Sequence, residues 1–163
     1  MATGDFDAMA AAYQRDYEIA ETLAEQDPSN LEWQRDLFIS HATMSDVEAA
    51  RGDYAAARAH LDSSMEIMRG LVAREGGLLQ WQSDFVNVHL WLAENAQQRG
   101  DEAEMLSYLA EGRRLAEARA AASPGDPTTR ADIERVELYE SALLAAAAED
   151  APDAQPDAES GGE

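Results

Sequence analysis

The segment Trp33-Gln34-Arg35-Asp36-Leu37 returns 48 residues later as Trp81-Gln82-Ser83-Asp84-Phe85. The same interval relates Arg51-Gly52-Asp53 to Arg99-Gly100-Asp101, His41 to His89, and Leu61 to Leu109. One step back from Gly52-Asp53-Tyr54 lies Gly4-Asp5-Phe6, and one step forward from Asp84-Phe85 lies Asp132-Ile133. A fixed period of this size decides the architecture, because each copy is one supersecondary unit that buries its apolar face against the next.

Each period divides into two helices. Asp27-Pro28-Ser29-Asn30 combines a helix stop with capping side chains, and Gly52-Asp53 and Gly100-Asp101 are glycine-centred turns whose aspartates suit the start of the following helix. Ser123-Pro124-Gly125-Asp126-Pro127 marks the last turn, since proline cannot continue one helix but suits the first turn of another. Helices are thus predicted near 5–26, 30–50, 54–75, 78–98, 102–122 and 127–147. In the first, Phe6, Met9, Tyr13, Tyr17, Ala20 and Leu23 recur at three- and four-residue spacings and define the face expected to be buried. Residues 1–148 form the expected helical domain. From Glu149 to Glu163 the chain is acidic, with Pro152 and Pro156 and no large apolar anchor, so a disordered acidic tail is expected.

Composition narrows the function. Without cysteine there are no disulfides, thiolate metal sites or cysteine nucleophiles. Every one of the 12 basic residues is arginine, so lysine-dependent phosphate loops and Schiff-base chemistry are absent, and no Gly-x-Ser-x-Gly or Gly-x-Gly-x-x-Gly occurs. The residues three before His41, His60 and His89 are Phe38, Ala57 and Val86, not the glutamates of a Glu-x-x-His metal pair. No catalytic set, cofactor or metal is expected. A net charge of −21 disfavours direct contact with nucleic acid or anionic lipid. The opening Met1-Ala2-Thr3-Gly4-Asp5-Phe6 lacks a signal-peptide pattern, and the aliphatic run Ala142–Ala148 is too short to span a bilayer, so a soluble cytoplasmic protein is expected.

The segment Gly52-Asp53-Tyr54-Ala55-Ala56-Ala57, followed by Leu61, resembles the inter-helix turn and second helix of a tetratricopeptide repeat. Ser45, Ala93 and Ser141 stand seven residues before the turn glycine or its equivalent, where that family places a small residue at the helix crossing. The opening at Trp33 looks like long-period bacterial variants, and the resemblance covers roughly residues 4–147. The period of 48 exceeds the family's 34, Met9 and Met105 replace the small alanine that Ala57 retains, and the helix-ending proline is displaced. About seven extra residues per helix preserve the direction of the apolar stripe. The resemblance implies an all-α fold in which antiparallel helical hairpins stack as a short right-handed α-solenoid of about six helices.

It also implies a concave groove lined by the first helix of each pair, which places Thr43, Asp46, Asn87, Trp91, Glu94, Gln98, Arg135 and Tyr139 in a partner-binding groove. Trp91 is either an anchor for a bound peptide or a residue buried between helices. His41 and His89 read as packed structural residues and His60 as partly exposed. Trp33 and Trp81 read as wedges between helices, Asp36, Asp84 and Asp132 as orienters of neighbouring arginines or backbone, and Arg113, Arg114 and Arg119 as members of surface ion pairs. The expected function is a protein-interaction scaffold whose partner is another protein or peptide. The alternative is an acidic decoy that occupies the basic surface of a nucleic-acid-binding protein. Because the chain enters at the mid-repeat turn Gly4-Asp5, self-association or membership of a larger repeat protein is also expected.

Overall fold

In the computed structural model, which describes residues 3–75 and 79–150, six helices follow one another: α1 Thr3–Gln26, α2 Leu31–Ala50, α3 Tyr54–Glu75, α4 Leu79–Gln98, α5 Glu102–Ala122 and α6 Pro127–Asp150. No strand occurs among the described residues. Glu149 and Asp150 belong to α6, so the boundary expected at Ala148 falls two residues early; residues 151–163, the rest of the expected tail, lie outside the described residues. Among the described residues no helix is long and apolar enough to cross a membrane.

The two glycine turns are copies of each other in hydrogen bonding as well as sequence. Gly52 N–H donates to the Ala49 carbonyl at 2.9 Å and Asp53 N–H to Glu48 at 3.0 Å; 48 residues on, Gly100 donates to Gln97 at 2.8 Å and Asp101 to Ala96 at 2.9 Å. These paired bonds satisfy carbonyls left open at the ends of α2 and α4, and they require a left-handed residue, supplied by Gly52 at φ 79° and Gly100 at φ 74°. Each following aspartate then caps the next helix: Asp53 Oδ1 accepts from Ala56 N–H at 2.9 Å and Asp101 Oδ1 from Glu104 N–H at 3.0 Å. Asn30 does the same for α2 through Trp33 N–H, and Asp126 holds Thr128 N–H ahead of α6.

Helix α4 is apolar on opposite faces and joins two clusters of the core. Val86, Leu90, Ala93 and Ala96 pack with Met105, Leu109, Ala116, Val136 and Leu143 of α5 and α6, while Trp81, Val88 and Leu92 pack with Phe38, Leu61, Met65, Met68 and Leu71 of α2 and α3. Helices of each hairpin approach closely where side chains are small. Ser45 and Ala93 are buried at equivalent positions, and a Cβ on the buried Gly112 would already touch Leu90 and His89. Ser141, third in the series, is exposed. Trp81 is buried; its counterpart Trp33 is half-buried.

Polar contacts link alternate helices at the repeat interval. Arg35 of α2 donates to Asp84 of α4 at 2.9 Å, Ser83 of α4 to Asp132 of α6 at 2.6 Å, and Arg135 of α6 to Asn87 of α4 at 2.7 Å. Between α3 and α5, Arg58 reaches Glu104 at 2.6 Å and the Tyr108 hydroxyl at 3.0 Å. Arg113 and Arg114 form ion pairs with Glu140 and Glu111.

Two expectations need correction. Arg119 is not a surface residue. It is buried one turn beyond Ala116 on the face of α5 turned to α6, where it forms an ion pair with the equally buried Asp132. The apolar stripe expected on α1 is only partly the buried face, with Ala20 its one buried member. Ala10, Ala20 and Ala24 are the buried residues, Phe6, Tyr17 and Leu23 are half-buried, and Met9 and Tyr13 are exposed. The short alanines face α2 because they allow the closer approach, and Met9 is left outward at the position where Ala57 and Met105 are covered.

Two comparisons test this account. Gly52→Ala and Gly100→Ala should each lower stability in denaturant unfolding by about 1–2 kcal/mol, the cost of a left-handed non-glycine residue. Gly70→Ala, in the interior of α3 with open space around it, should raise it by about 0.5–1 kcal/mol. Asp132→Asn should cost about 3–5 kcal/mol, because Arg119 would stay buried without its counter-charge. Removing the exposed partner Glu134 from Arg130 should leave the unfolding midpoint unchanged.

Candidate binding groove

Residues at the same place in successive repeats build a groove between α2 and α4, floored by the start of α3. Ser45, Asp46, Ala49 and Ala50 come from α2, Ala57 and Leu61 from α3, and Trp91, Glu94, Asn95 and Gln98 from α4. Together they enclose a cavity of about 290 Å³. Its floor is low because α2 presents small side chains one turn apart, at Ser45 and Ala49, and α3 presents Ala57. Ser45 turns its hydroxyl back to the Ala42 carbonyl at 2.7 Å, and Asn95 spends its amide on Tyr54 O at 3.0 Å and its carbonyl on Arg99.

The walls are chemically distinct from the floor. The Trp91 ring stacks on Phe38, with centroids 6.1 Å apart and planes inclined by 28°, and remains half-exposed to the cavity. Tyr139 of α6 lies beside it. Thr43, Trp91 and Tyr139 are one repeat position; Asp46 and Glu94 are another. Burial pushes the Asp46 carboxyl above its ordinary value. Burial and the neighbouring charge of Asp46 do the same to Glu94. Tyr139 is raised by burial and then by both carboxylates. Asp46 is solvent-exposed at the rim, yet the flanking helices displace enough water to disfavour its charge. Neither carboxylate has an ion-pair or hydrogen-bond partner among the described residues.

The structure therefore brings Asp46, Trp91, Glu94 and Gln98 to one cavity, with Tyr139 beside it. It places the other three named residues differently. Thr43 is half-buried and turns its hydroxyl to the Ile39 carbonyl at 3.0 Å. Asn87 and Arg135 are engaged with each other, and Arg135 also reaches Asp132 at 3.2 Å. Sequence reasoning missed Ala49, Ala50, Asn95 and Leu61 as lining residues. Ser45 and Ala57 carried a signal, as small residues near the helix crossing, but a small side chain announces close packing and a cavity floor in the same way.

A second cluster lies between α1, α2 and α3. His41 is buried and His60 half-buried, and their Nδ1 atoms are 3.0 Å apart, so one neutral ring donates to the other. Tyr17 sets its ring edge-on to both and donates to Glu21 at 2.8 Å. His89, the repeat equivalent of His41, instead donates to the Phe85 carbonyl at 2.7 Å. Among the described residues no group of three or more His, Asp and Glu side chains is arranged to hold a metal ion. No protein-family model matches the chain, and no curated protein and no solved structure matches it.

Burial, with the charge of His60 adding to it, pushes His41 down to about 4, and burial pushes His60 below its usual value. The unfolded chain takes up protons on these rings near pH 6.5, roughly the free imidazole value, whereas the folded chain resists until lower pH. Their contribution is therefore complete above about pH 6.5 and is lost as pH falls toward about 4. Acidification from about pH 7.5 to about pH 5 should cost the wild type more unfolding free energy than His41→Gln, measured by denaturant midpoints. Equal losses would show that the pair does not titrate in this way; carboxylate contributions cancel in the difference.

Proposed function

We propose that the chain is a tetratricopeptide-like scaffold that holds a peptide or helix of another protein in the groove between α2 and α4. The hairpins α2–α3 and α4–α5 repeat the same turn, cap and small-residue crossing, and polar contacts at the repeat interval set α2, α4 and α6 beside one another. This supports reading the six helices as a short right-handed α-solenoid, in which the first helix of each pair faces the ligand. Such binding needs no cofactor.

The observation that carries the reading is the meeting of Asp46, Trp91, Glu94 and Gln98 around one cavity. Trp91 has the properties of an interface anchor. It is large, backed by Phe38, and still accessible. At about 290 Å³ the cavity lies at the lower edge of volumes that take whole small molecules, and it suits one side chain of a longer ligand. The backbone of such a ligand would lie along the α2–α4 furrow, within reach of Gln98.

Selection of a phage-displayed random peptide library on the protein tests this. Enriched peptides should bind the wild type at least about tenfold more tightly than Trp91→Ala, the loss expected when an anchor is truncated. Gln98→Ala, which changes only a half-buried rim residue, should weaken the same peptides by a smaller factor. Peptides that bind both variants as well as the wild type, or a selection with no enrichment, would overturn the groove assignment.

A further inference from the structure

The groove's polarity, not its shape, distinguishes it from the rest of the surface. Four half-buried or buried carboxylates that face a neighbouring helix have an arginine: Asp84 has Arg35, Glu104 has Arg58 and Arg99, Glu140 has Arg113, and Asp132 has Arg119 and Arg135; half-buried Glu21 accepts from the Tyr17 hydroxyl instead. Asp46, exposed at the rim, and half-buried Glu94 occupy the same repeat position on α2 and α4 and face one cavity, and neither has an ion-pair or hydrogen-bond partner among the described residues. The arginines nearest the ends of these helices are already engaged, Arg51 with Glu48 at 2.8 Å and Arg99 with Asn95 and Glu104.

Resting on the groove reading above, we propose that the cavity takes an arginine side chain of a basic partner segment, with its guanidinium between Asp46 and Glu94 and its plane against Trp91. Two like charges sharing a partly dehydrated site repel each other, and a bound cation removes that repulsion while giving each carboxylate charge-assisted hydrogen bonds. The guanidinium suits the place better than an ammonium. It is planar, it offers several N–H donors in a fixed fork, it tolerates loss of water more readily, and it stacks on an indole face. The Trp91 ring is backed by Phe38, so less side-chain freedom remains to be lost on binding. A second copy of the chain is a poor occupant, because two molecules of net charge −21 repel.

General attraction of a cationic peptide to an acidic protein has to be separated from recognition at this site. Two nonamer peptide pools serve as probes, degenerate at every position except the central one, which is arginine in one pool and the neutral isostere citrulline in the other. Retention on immobilised protein is measured at about 150 mM salt, where charges beyond about 8 Å are screened. Three proteins are compared: the wild type, Asp46→Asn/Glu94→Gln, and the equally neutralised Asp16→Asn/Glu66→Gln, whose exposed side chains lie on α1 and α3 outside the groove.

The wild type should retain the arginine pool at least about tenfold better than the citrulline pool, as a desolvated charge pair implies. That preference should vanish in Asp46→Asn/Glu94→Gln and persist in Asp16→Asn/Glu66→Gln. Circular dichroism should show the groove variant as folded as the wild type, since both changes are near-isosteric and relieve repulsion; if it does not fold, Asp46→Asn alone carries the comparison. Equal loss in both double variants would reduce the effect to diffuse charge, and equal retention of the two pools would exclude guanidinium recognition; either overturns the proposal. Trp91-dependent peptides without arginine from the phage selection would overturn this inference and leave the groove standing, whereas no Trp91-dependent binder would remove both.

Discussion

The carboxylate of Asp132, 1% exposed, constrains the C-terminal half of the molecule. A buried charge is tolerated only where it is paired and hydrogen-bonded. Asp132 is paired by residues of three helices: its Oδ1 accepts from Ser83 on α4 and Arg135 on α6, and its Oδ2 forms an ion pair with Arg119 on α5, although that oxygen and Arg119 Nε and Nη1 make no hydrogen bond. Any arrangement in which α6 slides or turns relative to α4 and α5 leaves both Asp132 and Arg119 in apolar surroundings without a partner. The pair adds little to net stability against well-packed apolar residues, but it penalises the alternatives. The position of Tyr139, two turns along α6 and beside the groove, follows from it.

The same repeat position is treated differently along the chain. Asp36 is exposed, Asp84 is half-buried against Arg35, and Asp132 is buried. Burial of this position thus deepens from α2 to α6, and its partners grow in number with it. Identical or near-identical residues at equivalent positions build the scaffold, as at Gly52 and Gly100 or Leu61 and Leu109. Divergent residues at equivalent positions build the groove. Thr43, Trp91 and Tyr139 differ in size and polarity, and the series Asp46, Glu94, Ala142 carries charge only where α2 and α4 face each other.

Helix boundaries were legible in the sequence because they are written in residues with a single mechanical meaning. Glycine at Gly52 and Gly100 takes a backbone conformation closed to other residues, aspartate at Asp53 and Asp101 caps, and Pro127 starts a helix it could not continue. Which face of a helix is buried was less legible, since an apolar stripe shows what a helix can bury and its neighbours decide what it does bury. On α1 the expected Ala20 is buried, but Ala10 and Ala24, outside the stripe, are covered with it while Met9 and Tyr13 are left outside. Arg119 was illegible for a related reason. Its sequence neighbours Arg113 and Arg114 are ion-paired toward the surface, and nothing local distinguishes the arginine that meets Asp132 from those that meet glutamate in water. At the groove, the large and charged residues stood out in the sequence. The alanines that create the space beside them did not, and the engagement of Asn87 with Arg135 could be seen only once α4 and α6 were side by side.

Alanine therefore has two roles that composition alone merges. In the helix interiors it supplies propensity at little cost in side-chain entropy. At Ala49, Ala50 and Ala57 it supplies absence, a stretch of α2 and α3 where no side chain rises to meet Trp91. A leucine there would complete the apolar cluster around Leu61 and Trp91 and gain burial. The cavity forgoes that gain, and its two bordering carboxylates have no arginine partner among the described residues, whereas Asp84, Glu104, Glu140 and Asp132 do. Both departures fall at one place, on the faces that α2 and α4 turn to each other, and both run against what packing and pairing alone would select. A site that is locally less stable than the chain's own rules would make it is the expected form of a site shaped for something the chain does not itself contain.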